Sequence, residues 1–265
     1  MKTLNKISLL LITFLAISCS KNEDSTPAPI PPSKPVYLIK TINYGAGKST
    51  FLYDTANKLI SQEVNYPGFS ANKTTVSYNI NGKIYESIKI PLRGTGLTIE
   101  KISYLYDGTG KLIEKKYYSA ILSTPDNFIY SYSDFFSYTA NTFEIKRKNN
   151  ADNFFSRRFI LEINSSGNIF KSTRFKNMTA ADPIGIVDSV TDFEFDSNNN
   201  PLKSIPIEFS IPDDYTSNNN IVKITNSQDS PSVNNLSYEY NTDGYPTKRT
   251  SSISSGVILF EYQKL

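Results

Sequence analysis

The chain reads as all-β, an antiparallel meander of roughly 12 to 16 strands. Three observations predict this. A short unit recurs in which residues two apart are aromatic or aliphatic, an Asp or Asn follows, and a turn leads into a second β-rich run. Helical periodicity is weak throughout. Finally, 18 Tyr and 16 Phe supply a buried core, which a single Cys could not replace with disulfides.

Residues 1–18 have the layout of a secretory signal. Lys2 and Lys6 make a basic start, and Ile7 to Ile17 is mostly apolar but too short to span a bilayer. Leu15-Ala16-Ile17-Ser18-Cys19 closes the run with small residues before the thiol. The residues alone also fit a cleaved signal followed by an incidental cysteine. The ending resembles the lipobox of bacterial lipoproteins, with Ala16 where leucine is commoner. That resemblance implies that Cys19 is diacylated, begins the mature chain and carries its membrane anchor.

Residues 19–35 continue as a polar, proline-rich tether that cannot form a core. Folded sequence is expected over 36–265, as a single all-β repeat domain. The unit appears there as F-L-Y-D-T-A-N-K-L-I from Phe51, V-S-Y-N-I-N-G-K-I from Val76 and Y-L-Y-D-G-T-G-K-L-I from Tyr104. It returns as L-E-I-N-S-S-G-N-I from Leu161, F-E-F-D-S-N-N-N-P-L from Phe193 and Y-E-Y-N-T-D-G-Y-P from Tyr238, with F-S-Y-T-A-N from Phe136 a degenerate copy.

Strand alternation puts Phe51 with Tyr53, Tyr104 with Tyr106 and Tyr238 with Tyr240 on one face, while Ser77, Glu194 and Glu239 point toward water. The Asp or Asn caps backbone amides of a type I turn, and Gly or Asn three residues on tolerates positive φ.

The Y-x-Y-[DN]-x-x-G-[KN]-[LI] unit resembles the YD-repeat (Rhs-like) β-hairpins. Joined to a lipobox and a proline-rich tether, it is similar to Bacteroidota lipoproteins whose domain of unknown function is described as porin-like. The resemblance covers Val36 to Leu265 and implies a large curved or barrel-like sheet. It brings no catalytic residues. Ser20-Lys21-Asn22-Glu23-Asp24 is similar to the acidic stretch that routes such lipoproteins to the cell surface, although Asn22 interrupts it. The expected address is therefore the outer membrane, facing the periplasm or the exterior.

Composition narrows the chemistry. With no His, there is no Ser-His-Asp or Cys-His nucleophile system and no imidazole metal site. The formal charge of +3 falls to +1 once Lys2 and Lys6 are removed, so no global field draws the chain to nucleic acid. No cofactor and no metal are expected. Trp is absent too, leaving Tyr and Phe as the stacking surfaces.

Two motifs fall short of their templates. Gly45-Ala46-Gly47-Lys48-Ser49-Thr50 suggests a phosphate loop but lacks the earlier glycine, Ile42 standing in its place, and reads as a hairpin turn. Asp196-Ser197-Asn198-Asn199-Asn200 begins like a calcium loop. It has Pro201 where glycine is needed and Ile207 at the twelfth position, so it reads as another repeat turn.

The carboxylates outside the repeats are Asp182, Asp188, Asp192, Asp213 and Asp214, with Glu208 leading toward the I-P-D-D-Y loop. A pair facing each other across a cleft would make a carbohydrate-active hydrolase, the alternative to a non-catalytic role. Asp54-Thr55-Ala56 and Asp188-Ser189-Val190 resemble short Bacteroidota O-glycosylation sites. Aromatic runs in the insertions offer a platform for a glycan or protein ligand, and Tyr130, Tyr132, Phe135 and Tyr215 are the expected contacts.

Overall fold

The computed structural model describes residues 36–93, 97–206, 217–227 and 231–265. The signal, Cys19, the tether, Glu208, Asp213, Asp214 and Tyr215 lie outside them. Sixteen strands follow one another: β1 Tyr37–Asn43, β2 Lys48–Tyr53, β3 Leu59–Tyr66, β4 Ser70–Tyr78, β5 Ile84–Arg93, β6 Thr98–Tyr106, β7 Leu112–Ile121 and β8 Ile129–Tyr138. The second half holds β9 Thr142–Asn149, β10 Arg157–Ile163, β11 Ile169–Lys176, β12 Ile186–Asn199, β13 Asn219–Ser227, β14 Ser232–Tyr240, β15 Pro246–Ser251 and β16 Ser254–Lys264. Each strand pairs antiparallel with its sequence neighbours, and β1 pairs with β16, so the meander closes into a barrel.

An up-and-down meander places alternate connections at the same end. The turns at 54–58, 79–83, 107–111, 139–141, 164–168 and 241–245 therefore share one rim, here the base. Val36 and Leu265 meet at that rim, where the Leu265 amide donates to the Val36 carbonyl at 3.0 Å. The opposite rim is the mouth.

The base turns are built as their residues predict. Asp54 Oδ1 accepts from the amides of Ala56 and Lys58, Asp107 Oδ1 from Thr109 and Lys111, and Asn241 Oδ1 from Asp243 and Tyr245. Asn79 and Asn164 do the same. The left-handed position of each turn holds Asn57, Gly82, Gly110, Gly167 or Gly244. A register shift follows at Leu52/Tyr53, Ser77/Tyr78, Leu105/Tyr106, Glu162/Ile163 and Glu239/Tyr240, so every one of these turns ends in a β-bulge.

The paired apolar residues of each unit face the lumen and form its core at the base. One cluster runs from Val76, Ile84 and Tyr104 through Phe136, Phe143 and Leu161 to Ile169. A second gathers Ile39, Ile42, Phe51, Leu59 and Phe260, and a third Phe193, Ile221 and Leu236. Tyrosine hydroxyls at the end of the unit tie neighbouring hairpins together. Tyr78 donates to the Leu59 carbonyl at 2.8 Å, Tyr106 to Ile84 at 2.8 Å, Tyr138 to Leu112 at 2.9 Å and Tyr262 to Pro246 at 2.5 Å. Every acceptor opens the return strand of the preceding hairpin, so in the first three cases the motif's Tyr and the final Leu or Ile of the preceding unit are the two halves of one joint, with Pro246 in that place for Tyr262.

The unit from Phe193 departs from the expected hairpin turn. Instead β12 continues for 14 residues and Pro201–Ser204 forms a short 3-10 turn, the one helical element among the described residues. Asn200 caps it through the Leu202 amide, and Pro201 supplies the fixed φ of the first turn. Leu202 and Ile205 pack with Ile39, Phe51, Leu59 and Phe260 on β1–β3 and β16, across the lumen from β12 and β13. The connection is thus a plug. Rim contacts hold it: the Ile169 amide donates to Ser217 Oγ, Asn168 bonds Asn219, and the Asn199 amide donates to the Gly244 carbonyl.

Asp196 has no free ligand oxygens. One accepts from the amides of Asn198 and Asn220, the other from Tyr240 and the Asn220 side chain. The glycine run near residue 45 is the β1–β2 hairpin, closed by the Tyr44 amide donating to the Gly47 carbonyl at 2.7 Å.

The outward wall carries ion pairs beside exposed apolar residues such as Leu52, Leu105 and Leu259. Lys146 and Arg158 pair with Glu144, Lys171 with Glu162, Lys223 with Glu194 and Lys248 with Glu239, all on the face opposite the core. A lipid-facing strand needs apolar outward residues over its membrane-spanning length, which these positions interrupt.

Candidate binding site in the barrel lumen

Above the core, the same alternation that places aromatics in the lumen places polar residues there. Cross-strand neighbours run from Gln62 to Thr74, from Thr74 to Lys89 and from Lys89 to Glu100. Lys89 Nζ pairs with Glu100 at 3.1 Å. Gln62, Thr74, Ser87, Lys89, Glu100 and Tyr104 border a pocket of about 150 Å³, floored by the Ser87–Tyr104 hydroxyl contact at 2.9 Å.

The adjacent wall is richer. Lys115, Asp134, Arg147 and Arg157 stand side by side on β7, β8, β9 and β10. Arg147 grips Asp134 with two parallel bonds of 2.8 and 2.9 Å, a geometry that fixes both side chains. Its guanidinium also lies 4.1 Å from the Tyr132 ring centroid, and Tyr132 stacks on Tyr117 at 4.2 Å.

Burial alone would lower the Arg147 pKa, but the hydrogen bond and charge of Asp134 raise it. Burial pushes the Tyr117 hydroxyl far above its ordinary value, with the Asp134 charge adding to it. Burial likewise raises Tyr132. The cluster is a rigid, charged aromatic wall in which Arg147, Tyr117 and Tyr132 each keep one protonation state through the neutral range. Such a wall can stack on and hydrogen-bond a ligand.

Of the four contacts read from the sequence, Tyr132 lines this lumen. Tyr130 and Phe135 lie on the opposite, outward face of the same strand. Tyr130 packs 5.7 Å from Tyr118 and donates to Ser133, and Phe135 meets Phe155 edge-on at 5.7 Å. Lys101 Nζ sits 4.3 Å from the Phe128 centroid and 5.1 Å from Tyr118, completing an outer aromatic patch near the mouth.

Sequence reasoning missed Asp134, Arg147 and Arg249. A signal existed for the first two. Asp134 is two residues before Phe136, and Arg147 two after Ile145, so strand periodicity puts both charges on the face that carries the core.

Among the described residues, the lumen carboxylates do not suit paired acid-base work. Glu100 is held by Lys89, Asp134 by Arg147, and Asp188 by Arg174 and Lys176. The bond to Lys176 leads the interactions that keep the Asp188 carboxyl below its usual range. No group of three or more potential metal-ligating carboxylates occurs among the described residues.

No protein-family profile matches the chain, and no curated protein matches it. Among solved structures, it is similar to a porin-like protein from Bacteroides uniformis, with 13% identity and a TM-score of 0.35 over 87% of this chain and 96% of that one. A porin-like protein from Bacteroides vulgatus is similar at 12% identity, with a TM-score of 0.45 over 87% of this chain and all of the other.

Proposed function

We propose that this chain is a non-catalytic, YD-repeat lipoprotein of the Bacteroidota cell envelope, with a binding or scaffolding role. Cys19 carries the acyl anchor, and the ligand is a glycan or a protein. One observation carries the reading: the lumen is filled with apolar side chains and the Pro201–Ser204 plug at the base, yet polar toward the mouth. A filled base does not serve a through-channel, and a polar cup serves capture.

The described barrel begins at Val36, on the base rim, opposite the mouth. Ion pairs on the outward wall suit water more than lipid. Tyr132 contributes a stacking surface inside the cup, while Tyr130 and Phe135 belong to the outer patch.

Three measurements test this. Radioactive fatty acid should label the chain, and Cys19→Ser should abolish both label and detergent partitioning; retention of both sinks the anchor. The purified chain should produce no conductance steps in a planar bilayer. On a glycan array with parallel hydrolysis assays, binding without turnover is expected, and cleavage abolished by Asp213→Asn would overturn the reading.

A further inference from the structure

Near the mouth, on the side of the lumen formed by β13–β16, lies a pocket of about 370 Å³, within the range of small-molecule sites. Ile224, Leu236 and Ile258 give it an apolar floor, and Asn234, Ser251 and Ser254 give it hydrogen-bonding groups. Arg249 is the one cation in its lining. Tyr238 and Ile258 flank Arg249 across the sheet, which fixes its side chain on the lumen face. It also borders the narrow space above the plug, beside Leu202, Ile221 and Phe260.

Arg249 is half-buried and has no ion-pair partner among the described residues. This sets it apart from most lumen cations, since Lys89, Arg147, Arg174 and Lys176 each face a carboxylate. Among the described residues Arg157 is the other lumen-facing arginine without an ion pair, so the positive charge above the core is not fully paired there. A half-buried guanidinium with no counter-charge among the described residues gains from a ligand that supplies the anion, and its planar fork matches an oxyanion. Low-dielectric walls of one charge also focus anions inward.

We propose that this pocket binds a small amphiphile whose oxyanion head, a carboxylate or phosphate ester, pairs with Arg249. Its apolar body lies on Ile224, Leu236 and Ile258. The proposal rests on the binding role given above and names a ligand class for it. Asn234 and Ser251 are already joined at 2.7 Å, leaving the amide nitrogen of Asn234 to face the head group.

The test uses the whole chain carrying Cys19→Ser, so that no detergent competes. Decanoate, decyl phosphate and 1-decanol are titrated by calorimetry below their micelle ranges. At least one anion should bind, with decanol weaker, and the better of the two identifies the head group. Arg249→Gln should weaken that anion roughly ten-fold or more, and Arg249→Lys by less. Lys171→Gln, on the outward wall, should leave affinity unchanged. Ile224→Asp, which spoils the floor while keeping Arg249, should also abolish binding, and circular dichroism checks that each variant is folded.

Failure of both anions to bind, equal binding of decanol, or indifference to Arg249→Gln overturns the pocket. If the chain then still labels at Cys19 and binds a glycan without turnover, the broader reading survives and this ligand class alone falls.

Discussion

Lys83 and Tyr106 belong to successive hairpins, yet the Lys83 ammonium lies 5.8 Å from the Tyr106 ring centroid, and the Tyr106 hydroxyl reaches back to the Ile84 carbonyl. Lys58 stands over Tyr78 at 5.3 Å and Lys111 over Tyr138 at 5.5 Å in the same way. The Lys and Leu or Ile that end one unit therefore receive the Tyr of the next. The repeat is a coupling device between hairpins as much as a turn.

Removing one hydroxyl should expose that coupling. Tyr106→Phe leaves the Ile84 carbonyl without this donor and should cost about 1–3 kcal/mol, read as a lower urea midpoint with unchanged slope. The same change at exposed Tyr85 should be nearly silent. Equal losses at both positions would refute the joint.

The left-handed turn positions give a two-way test. Gly110 has φ +81°, so Gly110→Ala should destabilise by about 1–2 kcal/mol although the added methyl has room. Asn57 fills the matching place at φ 63°, and Asn57→Gly should be neutral or mildly stabilising. Thermal melts of the two variants shifting in the same direction would contradict this geometry.

Burial, partly offset by a bond to Ser204, pushes the Tyr53 hydroxyl from 10.0 up to about 12. Burial raises Tyr262 as well. A raised folded-state value means the stabilisation is complete below pH 10 and is lost as pH climbs toward 12. Ultraviolet titration at 295 nm should show one set of tyrosines ionising near pH 10 and a second set only as the barrel unfolds. Tyr53→Phe should flatten the alkaline fall in stability.

The plug is open to a core truncation. Ile205 is only 2% exposed, and Ile205→Ala should cost about 2–5 kcal/mol. Denaturant unfolding measures the loss. A change under half a kilocalorie would mean that the connection merely rests on the base.

Much of the scaffold was legible because its signals are local. Asp107, Gly110 and the alternating Tyr104 and Tyr106 specify a turn and two strand faces within one short segment. The joint was not legible, since its acceptor is a backbone carbonyl in another hairpin and leaves no trace in composition. Pro201 misled for a related reason. After Asp196 and three Asn it looks like a worn repeat turn, and only the distant apolar surface of β1–β3 and β16 makes it a plug. At the site, strand parity held the positions of Asp134 and Arg147, whereas the isolation of Arg249 depends on which strands surround it.

The pairing of β1 with β16 also sets an order of events. The first strand to be made bonds the last, so its edge stays unfilled until the final residues have arrived. Closing that seam joins the most distant segments of the barrel and should be its slowest step. A chain shortened by β16 alone would have two raw edges where the closed barrel has none, on β1 and β15, each able to capture a strand from another molecule.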